Sequence, residues 1–236
     1  MRIGIIGAGG YIGASLLNSL KDSPTHETIP IYRTSDLSIL SPELDLVFHS
    51  ANPATRYRAN ANPVLDRKET VEKTGFLLES FQRQRFVLIS SISCRTQLNT
   101  PYGLNRRECE MKVLEQGGVV LRLGPMFGGS RVKDVIHDIV RGEPIYVSSD
   151  TNYAYANVSW VTDFLIHNLE EFSGINEFGA RNSISLLEIA EVVDSKSIFS
   201  GPNDDQYPIG FVGGPDAREV LEYAKAVQSV ISPEGL

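Results

Sequence analysis

The chain has 236 residues, 42% hydrophobic and 22% charged. At about 150 residues per domain this gives between one and two domains, enough for one sizeable core plus a smaller lobe, and it excludes a disordered chain. The net charge of −7 argues against a protein that coats nucleic acid, although a local basic cleft for a small anion is compatible with it. Cys94 and Cys109 cannot build a disulfide framework and lack metal-ligand spacing, as do His26, His137 and His167. No apolar run approaches the about 18 residues of a membrane span. The apolar N-terminal stretch is interrupted by Gly7, Gly9, Gly10 and Gly13 and has no small-residue cleavage site before Lys21-Asp22, so no secretory leader is expected. A reducing, cytoplasmic setting follows as the expectation.

In chain order, residues 2–6 form a short buried-strand candidate. Residues 11–20 carry Ile12, Leu16, Leu17 and Leu20 at helical spacing. Further strands are expected at 28–32, 44–49, 86–89 and 119–123. Between the last three lie two helices. One covers 64–81, with Val71, Thr74, Leu77, Leu78 and Phe81 on one face; the other covers 102–116. Strands that alternate with helices, and that are apolar on both faces, predict an α/β fold with a doubly wound parallel sheet. After Leu123 the texture becomes irregular. Helices are expected at 132–141, 161–171 and 186–193, and residues 200–215 read as loop because of their Gly, Pro and Asp content.

The first strand runs directly into Gly7-Ala8-Gly9-Gly10-Tyr11-Ile12-Gly13, which opens the first helix. Glycines there let backbone N–H groups approach a phosphate closely, and the helix N-terminus adds a favourable dipole. A tight structural turn is the bland alternative, but the strand–turn–helix context favours phosphate binding.

The spacing Gly7, Gly10, Gly13 resembles the short-chain dehydrogenase/reductase superfamily, in its extended branch of nucleotide-sugar epimerases, dehydratases and reductases. The resemblance continues in order along the chain. It includes Asp45-Leu46-Val47-Phe48-His49-Ser50-Ala51 and the helix segment 70–79, with Thr70 where the family usually has Asn. It includes Phe86-Val87-Leu88-Ile89-Ser90-Ser91, Pro101-Tyr102-Gly103-Leu104-Asn105-Arg106 and the segment 121–128. Weaker matches lie at 158–163 and 184–190. The resemblance implies a Rossmann-type sheet with a small irregular C-terminal substrate-binding lobe. Residues 1–124, completed by about 157–175, would form the dinucleotide-binding domain, and 125–236 a substrate lobe interleaved with it. It implies cofactor contacts from Gly7, Gly10, Tyr11, Ile12, Gly13, Ala51, Arg106, Pro125 and Met126. It also implies a homodimer through helices 64–81 and 102–116.

The end of the second strand reads Ile31-Tyr32-Arg33-Thr34-Ser35, without the carboxylate that would bind a ribose 2′-hydroxyl. The planar fork of Arg33 suits a 2′-phosphate, so NADP is expected over NAD. A solvated surface arginine is the alternative. Asp36-Leu37 resembles a family pair that contacts adenine. The stretch 33–44 is short, which suggests that one strand–helix unit of the usual fold is missing.

Hydride transfer at a carbinol or ketone needs a group that exchanges a proton with the oxygen. The family uses Ser or Thr, Tyr, and a Lys four residues after the Tyr, one helical turn away. Ser91, Tyr102 and Arg106 fill these positions, with Ser93 as fallback for the serine. Arg106 is the departure: it keeps a positive charge but effectively never deprotonates. Lys112 lies too far along the helix to replace it. The loop between Ser91 and Tyr102 is short, and Arg95 and Asn99 within it are candidates to face a substrate or are plain surface residues. His49 reads as a structural histidine. Arg131, Lys133 and Arg141 suit an anionic sugar diphosphate or a solvated helix face; Trp160 and Tyr155 suit a stacked base or, more commonly, core packing.

The expected function is therefore an NADP-dependent oxidoreductase or epimerase on a nucleotide-activated sugar. Two alternatives remain at this level: a dinucleotide-binding sensor or scaffold without turnover, and a reductase of a non-sugar carbonyl. A dehydratase is disfavoured, since Ser91-Ile92-Ser93-Cys94 supplies no added acid/base pair.

Overall fold

The computed structural model describes residues 1–231. Strand β1 (Arg2–Ile6) and helix α1 (Tyr11–Leu20) precede β2 (Glu27–Ile31), α2 (Leu37–Leu40) and β3 (Leu46–His49). Then come α3 (Arg56–Ala61), α4 (Pro63–Arg67), a π turn (Lys68–Glu72), α5 (Lys73–Ser80), β4 (Arg85–Ser91), α6 (Ser93–Thr96), α7 (Pro101–Glu115) and β5 (Val119–Leu123). The remainder holds β6 (Met126–Phe127), α8 (Val135–Val140), β7 (Asn152–Tyr153), β8 (Ala156–Asn157), α9 (Val158–His167), β9 (Ile175–Phe178), β10 (Ile184–Ser185), α10 (Leu186–Val192) and α11 (Glu219–Ile231). Two compact units emerge. The first joins Met1–Leu123 to Thr162–Asn176; the second joins Gly124–Val161 to the described residues from Glu177 to Ile231.

The first unit is built on a six-stranded sheet of order β2-β1-β3-β4-β5-β9. Neighbouring strands from β2 across to β5 run parallel. Every residue of β3 and β5 is buried, as expected for a sheet covered on both faces. Ile6, Val47, Leu77, Phe81, Leu88 and Val120 are among its core residues. Across α1, the hydroxyls of Ser15 and Ser19 each lie 2.9 Å from Thr162 Oγ1, which ties α9 to the unit.

Between Arg33 and Leu44 there is only α2 and a 3-10 turn (Ser41–Glu43). The chain passes from β2 to β3 without another strand, and β2, with Pro30 inside it, forms an edge of the sheet. The single helix expected over 64–81 is interrupted. Asn62 caps α4 by accepting from Leu65 N at 3.0 Å, and the π turn at Lys68–Glu72 follows. Apolar spacing does not reveal this turn, because Val71, Thr74, Leu77 and Leu78 still face inward.

The second unit has its own core, with Ile136, Ile139, Leu186, Ile189 and Val220 buried together. Its strands are short: β7 pairs antiparallel with β10, and β6 pairs parallel with β8. Asp134 starts α8 by accepting from Ile136 N and His137 N, both at 3.0 Å. Ser185 and Glu188 form a reciprocal capping box at α10. Helix α11 was not foreseen. It buries Val220 and Ala224 and packs Leu221 and Tyr223 against this core, an apolar face that lies beyond the last helix expected from the sequence. No helix among the described residues is long and apolar enough to cross a membrane.

Candidate active site

Gly7 leaves β1 at φ +86°, a backbone conformation that side chains strain. A Cβ there would come within 2.9 Å of the Ala51 backbone. A Cβ on Gly13 would lie 2.1 Å from Gly7 O, so the first turn of α1 packs directly on the loop. Gly10 is the N-cap of α1 and no side chain caps the helix. Nothing lies within 4 Å of the space above Gly9. Open space beside an uncapped helix N-terminus fits the pyrophosphate of a dinucleotide. Tyr11 and Ile12 lie in the same first turn of α1. The exit of β3 is fixed to the turn by Ser50 Oγ, which donates to Ile6 O at 2.8 Å.

Ser91 ends β4, and its Oγ accepts from Ser93 N at 3.2 Å. Ser93 itself is buried in α6. Thr100 caps α7 by accepting from Gly103 N at 3.1 Å, with Pro101 in the first helical position. A Cβ on Gly103 would sit 2.1 Å from Gln97 O, so the short segment after Ser91 lies tight against the start of α7. Tyr102 and Arg106 are both buried. Arg106 Cζ lies 4.4 Å from the Tyr102 ring centroid, a cation–π contact. The guanidinium also donates through Nη2 to the Pro53 carbonyl, and its buried Nε has no partner. Lys112 lies in the last turn of α7, away from this pair.

Helix α7 is held to the sheet by a buried ion pair. Arg122 on β5 donates Nε and Nη2 to the Glu110 carboxylate at 2.8 and 2.6 Å, and Ser90 Oγ on β4 donates to it at 2.7 Å. Burial opposes the Glu110 charge, but these bonds override it and leave its pKa below the usual carboxylate range. Burial pushes the Cys94 thiol up to about 12 and the Cys109 thiol up to about 11, so neither is an activated nucleophile.

Arg33 Nη2 pairs with Glu69 Oε2 at 3.0 Å. Lys73 Nζ donates to Ala51 O at 2.6 Å and lies 3.8 Å from the same Glu69 oxygen. Burial first, then the charges of Arg33 and Arg106, lowers the Lys73 pKa. His49 is fully buried, with Nε2 3.1 Å from Thr74 Oγ1. Burial, followed by the Lys73 and Arg106 charges, pushes it down to about 3. Asp36 caps α2, accepting from Ser38 N at 3.0 Å and Ser38 Oγ at 2.6 Å.

The candidates of the first unit thus lie on its glycine turn, on the exits of β2, β3 and β4, and on the first turns of α7. Thr70 is buried in the π turn, and Asn99 is exposed. Pro125 and Met126 belong to the second unit, where Met126 opens β6. There Tyr155 packs edge-on against Tyr153, and Trp160 tilts against Phe211. Sequence reading missed Glu69, Lys73 and the Glu110–Arg122 pair. Arg122 carried a signal: a charge inside the apolar strand VVLRL must find a buried partner.

No protein-family model matches this sequence, and no curated protein does either. Solved structures do share its fold. TunA, an NAD-dependent NDP-hexosamine 5,6-dehydratase of tunicamycin biosynthesis, superposes with a TM-score of 0.81 at 15% identity, covering 99% of each chain. RMD from Pseudomonas aeruginosa, complexed with NADPH, gives 0.79 at 17% identity, covering 97% of this chain and 99% of its own. UDP-glucuronic acid 4-epimerase from Bacillus cereus, in complex with UDP-glucuronic acid and NAD, gives 0.75 at 16% identity over 97% of each chain. The chain therefore has the Rossmann-type fold that the sequence resemblance implied.

Proposed function

We propose that this protein is an NADP-dependent oxidoreductase or epimerase that acts at a ring carbon of a nucleotide-activated sugar. The observation that carries the reading is the buried Tyr102–Arg106 pair one helical turn apart on α7. The bound nicotinamide supplies or accepts the hydride. Gly7, Gly10, Tyr11, Ile12 and Gly13 hold the pyrophosphate on backbone amides, Ala51 borders it, and Arg33 takes the 2′-phosphate. Arg106 Nε, buried without a partner, is a free donor for a ribose hydroxyl.

In the reductive direction Tyr102 Oη gives its proton to the substrate oxygen, and Ser91 Oγ hydrogen-bonds the same oxygen. The resulting phenolate is stabilised by the Arg106 cation beside its ring until solvent restores the proton. A lysine in place of Arg106 would relay that proton itself; a guanidinium holds its own. The exposed apolar residues Leu65 on α4, Phe76 on α5, and Leu104 and Met111 on α7 support a homodimer through these helices.

The test is NADPH-dependent reduction of a nucleotide 4-keto-sugar by the wild type and by Tyr102→Phe. General acid–base catalysis contributes about 10²- to 10⁴-fold, and a loss of that size is expected with the fold retained by circular dichroism. Equal turnover by both proteins removes Tyr102 from the mechanism.

A further inference from the structure

We propose that Arg33, Glu69 and Lys73 form a cofactor-discriminating site, in which the Glu69 carboxylate occupies the place that a ribose 2′-phosphate takes between two cations. The proposal rests on the dinucleotide-binding reading and assigns Glu69 and Lys73 a role within it.

The placement follows from the sheet. β1 and β2 run parallel with Ile6 opposite Ile31, and Gly7 N donates to Ile31 O. Arg33 therefore leaves the sheet at the same end as the glycine turn. Ala51, at the exit of β3, lies against Gly7 closely enough to exclude a side chain there. Lys73 holds the carbonyl of that same Ala51 at 2.6 Å. Its ammonium is thus one residue removed from the turn that receives the phosphates. One carboxylate oxygen, Glu69 Oε2, lies 3.0 Å from Arg33 and 3.8 Å from Lys73, so a single anion sits between two cations.

The two cations differ in freedom. The Arg33 side chain is 88% exposed, and an exposed pair of this kind is weak and easily exchanged. The Lys73 side chain is mostly buried and hydrogen-bonded, so it is already in place. Glu69 lies in the π turn, a local widening of the helix that often marks a functional position. A phosphate monoester carries about −1.5 to −2 charges at neutral pH and three strong acceptor oxygens. It outcompetes a single carboxylate for Arg33 and Lys73, and Glu69 swings out to solvent. A bare 2′-hydroxyl has no such charge, and Glu69 then stays and accepts a hydrogen bond from it.

The experiment is calorimetric titration of the full chain with NADPH, NADH, adenosine 2′,5′-bisphosphate and adenosine 5′-monophosphate. Melting curves confirm that each variant is folded. A charge-assisted bond to phosphate corresponds to roughly a 10- to 100-fold change in affinity. Lys73→Met is expected to weaken NADPH and the bisphosphate by that factor while changing NADH and the monophosphate less than about 3-fold, and Lys73→Arg restores most of the loss. Glu69→Gln removes the competing anion and is expected to tighten NADPH about 5- to 10-fold without tightening NADH. Equal losses for both cofactors in Lys73→Met, or weaker NADPH binding in Glu69→Gln, overturn the discriminating site while leaving dinucleotide binding intact. A wild type that binds none of the four probes overturns the dinucleotide reading as well.

Discussion

The two cationic regions at the C-terminal end of the sheet are built in opposite ways. Around Tyr102, Arg106 is enclosed, stacked on a ring and anchored to Pro53, and its helix is bolted to β4 and β5 through Glu110. Around Ala51, Arg33 points into solvent and shares one carboxylate with Lys73. In the roles proposed above, groups that meet reacting atoms need fixed geometry, and a buried, tightly packed network supplies it. Groups that choose between two forms of one ligand need an exchangeable partner, and an exposed ion pair supplies that.

The largest expected effect comes from breaking the rigid region. Glu110→Ala leaves Arg122 buried without its carboxylate, and truncating one member of such a pair costs about 3–5 kcal/mol. Urea unfolding followed by fluorescence or circular dichroism measures the loss. A change below about 1 kcal/mol would mean that α7 is fixed by apolar packing instead.

A pH titration of stability is the intermediate case. His49 stays neutral in the folded protein down to about 3, whereas the unfolded chain takes up a proton near the ordinary value of 6.5. Protons bind preferentially to the unfolded state between these values. Stability from this group is therefore complete above pH 6.5 and falls as the pH drops toward 3, by at most about 1.4 kcal/mol per unit. Denaturation midpoints collected from pH 7 to 4 should show this slope, and His49→Gln should flatten it.

The smallest effect belongs to an exposed pair. Arg67 reaches Glu108 with two hydrogen bonds, at 2.5 and 2.8 Å, across α4 and α7. Both side chains are well exposed, so Arg67→Ala should cost only about 0.2–1 kcal/mol and should leave cofactor binding unchanged by titration. A loss comparable with that of Glu110→Ala would erase the contrast between buried and exposed pairs.

Much of the first unit was legible because its signals are local. Apolar runs marked β1, β3, β4 and β5, and the glycines at 7, 10 and 13 marked the turn between β1 and α1. Tyr102 and Arg106 were legible because one helical turn relates them. The π turn was not, since it changes backbone pairing without changing which residues are apolar. Glu69 and Lys73 were missed because each is an ordinary surface charge until the fold brings Arg33 and Ala51 beside them. In the second unit strands β6, β7, β8 and β10 have only two residues each, too few for any alternation to show.

The direct passage from β2 to β3 has a consequence for how this protein behaves in concentrated solution. With no strand outside it, β2 presents an open row of backbone groups that a second molecule could extend. Glu27 N donates inward to Met1 O, so the alternating positions 28 and 30 face outward. Position 30 is proline, which has no N–H to offer there. The edge therefore lacks one of its outward donors, which weakens it as a template for a further strand through covalent structure rather than through charge.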